Sequence, residues 1–210
     1  MPTKTTILVL TRHEEHENNV LTTEGADRAR RRGQVLGKTA QIEAAVSSPL
    51  PRAVSTAERM LEGAGISLLI ENETRLGDFK TDKRAAPDSL NRLKEMAKSQ
   101  FGNDDDSSLA KCLPEMPELH ELMLMRAEEG ATALTEIAVA NPGKFVLVTS
   151  HGVARMEVAM QWLNGHRSAA EVLDIANNLV DRGESVLATF QVKDGKATFI
   201  SAKPLKIPLD

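Results

Sequence analysis

Ile7 to Leu10 and Phe145 to Thr149 are runs of mostly branched apolar residues with no polar alternation. A strand with one wet face alternates apolar and polar side chains, whereas one covered on both faces stays apolar throughout. Such strands belong to a mainly parallel sheet with helices packed on either side. The intervening segments agree. Thr22-Thr23-Glu24 opens a polar, Arg-rich stretch through about Lys38 that reads as an exposed helix. Ile42 to Val46 is a short strand ending in Ser47-Ser48-Pro49. From Arg52 to about Glu62 the pattern is helical, closed by Gly63 and Gly65, and Ile66 to Ile70 is a third strand candidate. Val153 to Leu163 reads as an amphipathic helix. Ser185 to Val192, a Lys193-Asp194-Gly195 turn and Ala197 to Ala202 make a β-hairpin. The expected fold is a three-layer α/β/α sandwich with a mainly parallel central sheet.

Between Asp78 and Asn141 the pattern changes. Ser89 to Gln100 is helical, Gly102 to Ser108 is an acidic break, and Leu119 to Val139 is a long helix. This reads as a helical insertion over the carboxyl edge of the sheet, about residues 79–141, within a single domain spanning 1–210. Asp104-Asp105-Asp106 suits a solvated connector, since a metal site there needs further oxygen ligands. A formal charge of −4 argues against a nucleic-acid or membrane-surface binder, so an anionic partner needs a local cationic pocket. The single cysteine, Cys112, excludes an intrachain disulfide framework and fits a reducing compartment. No apolar run approaches membrane-spanning length, and the apolar stretch near the N-terminus is too short for a signal peptide. The expected location is cytoplasmic.

The chemistry sits at strand ends. His13 follows ILVLTR and His151 follows FVLVTS. The carboxyl ends of parallel strands converge on one crevice, so residues this far apart in sequence can meet there. Arg12 precedes the first histidine, Gly152 follows the second, and Arg52 lies between them in SSPLPRAVSTA. Forked guanidiniums match the peripheral oxygens of a phosphoryl group, and a neutral imidazole can attack phosphorus. Nearby guanidiniums favour that neutral form by like-charge repulsion. Taken singly, each histidine is better explained as a hydrogen-bonded strand-end residue, and Arg52 as a surface charge at a helix start. Together they specify a phosphate pocket. Gly152 is expected to start the following helix, where backbone N–H groups favour an anion.

Thr11-Arg12-His13, LTTEG from Leu21 to Gly25, SSPLPRAVSTA from Ser47 to Ala57 and VLVTSHGVAR from Val146 to Arg155 together resemble the histidine phosphatase superfamily, the phosphoglycerate-mutase-like group. The resemblance implies that His13 is the nucleophile, that His151 donates to the transferred group, and that Arg12, Arg52 and Asn19 hold phosphate. The family's Leu-x-Glu segment after the third strand matches Leu76-Gly77-Asp78, making Asp78 the candidate proton donor, with Glu73 and Glu71 as fallbacks. Asp78 as a loop or cap residue is an equal reading. The function implied is a metal-independent phosphomonoester phosphatase with no cofactor, acting on a small phosphorylated substrate. Alternatives are a pseudophosphatase that only binds phosphate or phosphorylated ligands, a phosphoglycerate mutase, and a phosphohistidine-protein phosphatase. The short segment after His13 weighs against the mutase, and the long insertion against the last.

Glu14 departs from the family pattern, which has glycine after the histidine. Three outcomes are open: Glu14 points to solvent with the site intact, which we favour; it supplies the acid function; or it degrades the site. His16 completes a His-Glu-Glu-His cluster whose spacing is not that of zinc proteases, and it reads as solvated or at the substrate rim. His120 and His166 are expected at the surface. Met116, Met123, Met125, Met156 and Met160 are expected to fill the core, and Cys112 to be inert. The C-terminal hairpin offers an edge for self-association, but the oligomeric state is not legible.

Overall fold

A computed structural model describes residues 2–152, 155–177 and 179–209. The first strand, β1 (Lys4–Arg12), leads into a small antiparallel hairpin, β2 (His16–Glu17) and β3 (Val20–Leu21). Its two-residue turn, Asn18-Asn19, has both φ angles positive, at 48° and 68°, as the tightest hairpin turns demand. The sequence gives no sign of this hairpin, because two-residue strands carry no periodicity. Helix α1 (Thr23–Thr39) follows, its first turn capped by the Thr22 hydroxyl accepting from the Gly25 N–H. Then come β4 (Ile42–Ser47), α2 (Pro51–Ala64) and β5 (Ile70–Asn72). The expected strand at 66–70 is thus displaced: only its last residue pairs, through Ala45 opposite Ile70, and Leu69 is exposed at this edge of the sheet. Gly63 does not close α2. It lies inside the helix, where a Cβ would fall 1.9 Å from the Arg30 carbonyl oxygen, and Gly33 on α1 faces Met60 in the same way. Gly65, in the left-handed region, is the cap.

Helices α3 (Pro87–Phe101) and α4 (Asp106–Cys112) form the insertion, followed by α5 (Pro117–Ala140), β6 (Phe145–Ser150), α6 (Met156–Leu163), α7 (Ala169–Val172), β7 (Ser185–Lys193) and β8 (Lys196–Leu205). The sheet order is β5-β4-β6-β1-β7-β8, with β5, β4, β6 and β1 parallel and the final hairpin antiparallel. The fold is therefore the expected three-layer sandwich. Its apolar strands split by parity. Leu8, Leu10, Val146 and Val148 face α5 and α6, whereas Val9 and Leu147 face α1 and α2.

A separate core lies under the insertion, joining Leu93, Leu109, Leu113 and Met123 with Val158 and Ile175. The insertion ends within α5. Leu119 and Met123 belong to that second core, but Leu134 and Ile137 pack on the sheet, so the back half of α5 is a layer of the sandwich. The acidic break is also shorter than expected, since Asp105 caps α4 by accepting from Ser108 N–H and Asp106 begins the helix. Cys112, Met116, Met123 and Met156 are buried, whereas Met125 is exposed. His120 and His166 are half-buried, each on a local bond away from the strand ends. Among the described residues, no helix is long and apolar enough to cross a membrane.

Candidate active site

Register brings the chemistry together. Arg12 lies opposite Ser150 on the neighbouring strand, and Ser47 lies opposite Thr149, so β1, β4 and β6 end at one level. His13, Ser48 and His151 leave those ends side by side. The His13 and His151 ring centroids are 5.1 Å apart, and His16 meets His13 edge-on at 4.8 Å. The cavity above them, about 300 Å³, is lined by Arg12, His13, His16, Asn19, Arg52, Asp78, His151 and Gly152, and from outside the expected set by Lys80, Asp106 and Arg182.

His13 is held in one tautomer. Its Nδ1–H donates to the Glu14 carbonyl oxygen at 2.8 Å, and its Nε2 accepts from Arg52 Nε at 3.1 Å, leaving the lone pair on the cavity side of the ring. Burial, then His151, Arg52 and Arg12, hold its pKa far below the ordinary 6.5, at about 2, against the opposing pull of the Glu14 carbonyl. His151 is almost wholly buried, bonded through Nε2 to Ser48 Oγ at 2.8 Å, with Nδ1 unpartnered. Burial and four arginines, Arg52 foremost, push its pKa well down as well. Both rings are neutral.

Both pocket arginines are paired with carboxylates. Arg52 reaches Asn19 Oδ1 and Asp78 Oδ2. Arg12 donates to the Val180 carbonyl at 2.9 Å and to Asp106, while Asp106 also meets Lys80 at 3.3 Å. Asp106 is not part of a solvated connector; the start of α4 carries it into the pocket. Asp78 joins the two readings given above, for Oδ2 is at the pocket while Oδ1 accepts from the Lys80 N–H as a cap. The two residues before it in the chain are anchored from behind. Arg126 and Arg155, both buried, donate to the Gly77 carbonyl at 2.8 and 3.0 Å, and Ser150 Oγ donates to the Leu76 carbonyl at 2.9 Å. Burial beside Arg126 lowers the Arg155 pKa to about 9. Of the fallback acids, Glu73 is tied to Arg75 and Glu71 is exposed on the edge strand.

Two expectations fail. Gly152 does not begin the following helix: α6 starts at Met156, and Val153 and Ala154 lie outside the described residues. Its absent side chain makes room for Arg12, since a Cβ there would fall 2.8 Å from Nε and 2.9 Å from Cζ. Glu14 does not point to solvent. Its side chain is fully buried, with Arg32 Nε at 3.0 Å and Arg28 Nε at 3.1 Å on its two oxygens. A Cβ on Gly183 would fall 2.0 Å from Oε1, which locates the carboxylate between α1 and the turn before β7. Its φ is not positive, so the position does not need glycine's freedom. The carboxylate is directed away from the cavity and neutralised by helix α1.

Sequence reasoning missed Lys80, Arg182, Asp106 and the place of His16. Three of these lie on segments whose approach to the pocket depends on the insertion and on the turn before β7. Only His16 gave a signal, its closeness to His13. The described residues contain no group of three or more His, Cys, Asp or Glu that could hold a metal ion.

The family model of the histidine phosphatase superfamily (branch 1) matches residues 4–184. No curated protein matches by sequence. Among solved structures, a phosphoglycerate mutase from Bacillus anthracis str. Sterne is 19% identical with a TM-score of 0.61, over 95% of this chain and 93% of that one. A phosphoserine phosphatase from Entamoeba histolytica, in complex with 3-phosphoglyceric acid, is 18% identical with a TM-score of 0.59, over 94% and 96% of the two chains. The alpha-ribazole phosphatase from Shigella flexneri is 18% identical with a TM-score of 0.54, over 92% and 94%. At these identities the likeness is one of fold.

Proposed function

We propose, for a chain that belongs to branch 1 of the histidine phosphatase superfamily, that it is a phosphomonoester phosphatase working without a metal through a phosphohistidine on His13. The observation that carries this reading is the tautomer of His13: a buried, neutral imidazole whose Nε2 lone pair lies among guanidiniums. A phosphoryl group arriving in the cavity takes Arg52 and Arg12 onto its oxygens, releasing Nε2 from its bond to Arg52. Nε2 then forms a bond to phosphorus while the bond from phosphorus to the leaving oxygen breaks. The leaving oxygen takes a proton from the Asp78 carboxyl group once Arg52 has turned to the phosphoryl oxygens. In the second half a water attacks phosphorus, the N–P bond breaks, and the water's proton returns to the Asp78 carboxylate. His151 Nδ1, buried without a partner, is available to a phosphoryl oxygen. The small phosphorylated substrate is the only partner this chemistry needs.

The test uses p-nitrophenyl phosphate in the presence of chelator, with His13→Ala beside the natural protein. Chelator-resistant turnover that disappears in the variant is expected. Equal and negligible rates in both leave a phosphate-binding module that does not turn over.

A further inference from the structure

We propose that His16 is a third catalytic histidine of this site, a donor to the transferred phosphoryl group beside His13 and His151. The inference rests on the phosphatase reading above and extends it to a residue placed by its sequence context at the rim. Buried polar atoms without a hydrogen-bond partner are rare in folded proteins, and each calls for an explanation. Among the described residues, Arg12 Nε, His16 Nδ1 and His151 Nδ1 are three such atoms, and all three side chains line the same cavity. An acceptor-rich ligand accounts for them together. A phosphoryl group brings three peripheral oxygens, which is the class of ligand that these donors lack.

The placement of His16 is specific. Its residue pairs with Leu21 in the β2–β3 hairpin, and the Asn18-Asn19 turn closes that hairpin with left-handed backbone at both positions. The same turn carries Asn19, whose Oδ1 accepts from Arg52. One short element therefore presents two polar side chains to the pocket, from a hairpin more rigid than an open loop. The ring of His16 stands edge-on to His13 at 4.8 Å, with an interplanar angle of 63°. It thus flanks the proposed nucleophile and lines the same cavity, within reach of a group bound there.

Charge gives this contact a signature. Burial, Arg52, Arg182 and Lys80 disfavour the imidazolium of His16, with Asp78 opposing them. Without a bound anion these groups favour the neutral ring. A phosphate dianion reverses the balance, so His16 takes up a proton as the anion binds and donates from a charged ring. Binding of phosphate should therefore carry a proton with it near neutral pH.

The experiment titrates inorganic phosphate into the natural protein, His16→Ala and His16→Asn, by calorimetry at pH 7.5 in two buffers of different ionisation heat. Turnover of p-nitrophenyl phosphate is followed from pH 5 to 9, and thermal denaturation verifies that each variant is folded. His16→Ala should weaken phosphate binding and lower kcat/KM by about 10- to 100-fold. His16→Asn, which keeps a donor but cannot titrate, should recover most of the binding and lose the proton uptake. Equal binding with unchanged proton uptake in both folded variants overturns the inference alone. Absence of phosphate binding by the natural protein overturns the phosphatase reading, and this one with it.

Discussion

Replacing Glu14 with glutamine isolates what a carboxylate next to His13 in the chain contributes. Its side chain is fully buried, with Arg32 at 3.0 Å and Arg28 at 3.1 Å, and their side chains are 11% and 24% exposed. Glutamine keeps the volume and one acceptor but turns the second oxygen into a donor facing a guanidinium N–H. Removing one partner of a buried pair destabilises by about 3–5 kcal/mol. The exposure of Arg28, and its further pairs with Glu15 and Glu24, discount its share. We therefore expect a loss of about 2–3 kcal/mol. For a chain of this size that lowers Tm by roughly 4–12 °C, and the urea midpoint should fall at constant slope. Because the carboxylate does not line the cavity, kcat/KM on p-nitrophenyl phosphate, measured well below Tm, should stay within about threefold of the natural protein. An unchanged Tm with faster turnover would mean that Glu14 obstructs the pocket. A loss of about a hundredfold or more, with the acidic limb of the rate profile displaced, would make Glu14 the proton donor. Either result refutes the reasoning.

Asp106→Asn removes the carboxylate that competes for Arg12; product inhibition by inorganic phosphate should tighten about 5- to 30-fold, and weaker inhibition would contradict the pairing. Gly152→Ala places a methyl group 2.8 Å from Arg12 Nε; kcat/KM should drop about a hundredfold with little change in Tm, as kinetics beside a melting curve will show. The third concerns acid. The folded His13 pKa of about 2 lies below its ordinary 6.5, so between these values the unfolded chain binds a proton that the folded one refuses. Stability therefore falls as pH drops below 6.5, by up to about 1.4 kcal/mol per pH unit from His13, with His151 acting in the same direction. Urea midpoints from pH 7 to 4.5 should show this slope, and His13→Asn should flatten it by that amount.

Much of the molecule is legible in its residues because the relevant forces are local or periodic. Burial on both faces imposes apolar continuity on β1 and β6, and the Asp194-Gly195 turn, with both φ angles positive, writes its own hairpin. Where a signal depended on packing, the reading slipped. Only Ile70 of the expected third strand pairs with its neighbour, because an edge strand needs little pattern. Gly63 resembled a helix stop, although its lack of a side chain serves the contact with α1.

The site divides along the same line. His13, His151, Arg12, Arg52, Asn19 and Asp78 converge because they sit at strand ends, in the segments that follow them and in the first turn of α2, since parallel strands put their carboxyl ends at one edge whatever else the chain does. The direction of Glu14, the arrival of Asp106 from the insertion and the contact of His16 with His13 were decided only in three dimensions. Each depends on which element covers the strand ends and which charges it brings. Glu14 turns inward because α1 offers two guanidiniums, and buried charge goes where it is paired. The amino-acid sequence by itself determined the sheet and the edge at which the cavity forms; the tertiary structure chose the charges that surround it, because pairing between distant side chains leaves no periodic trace along the chain.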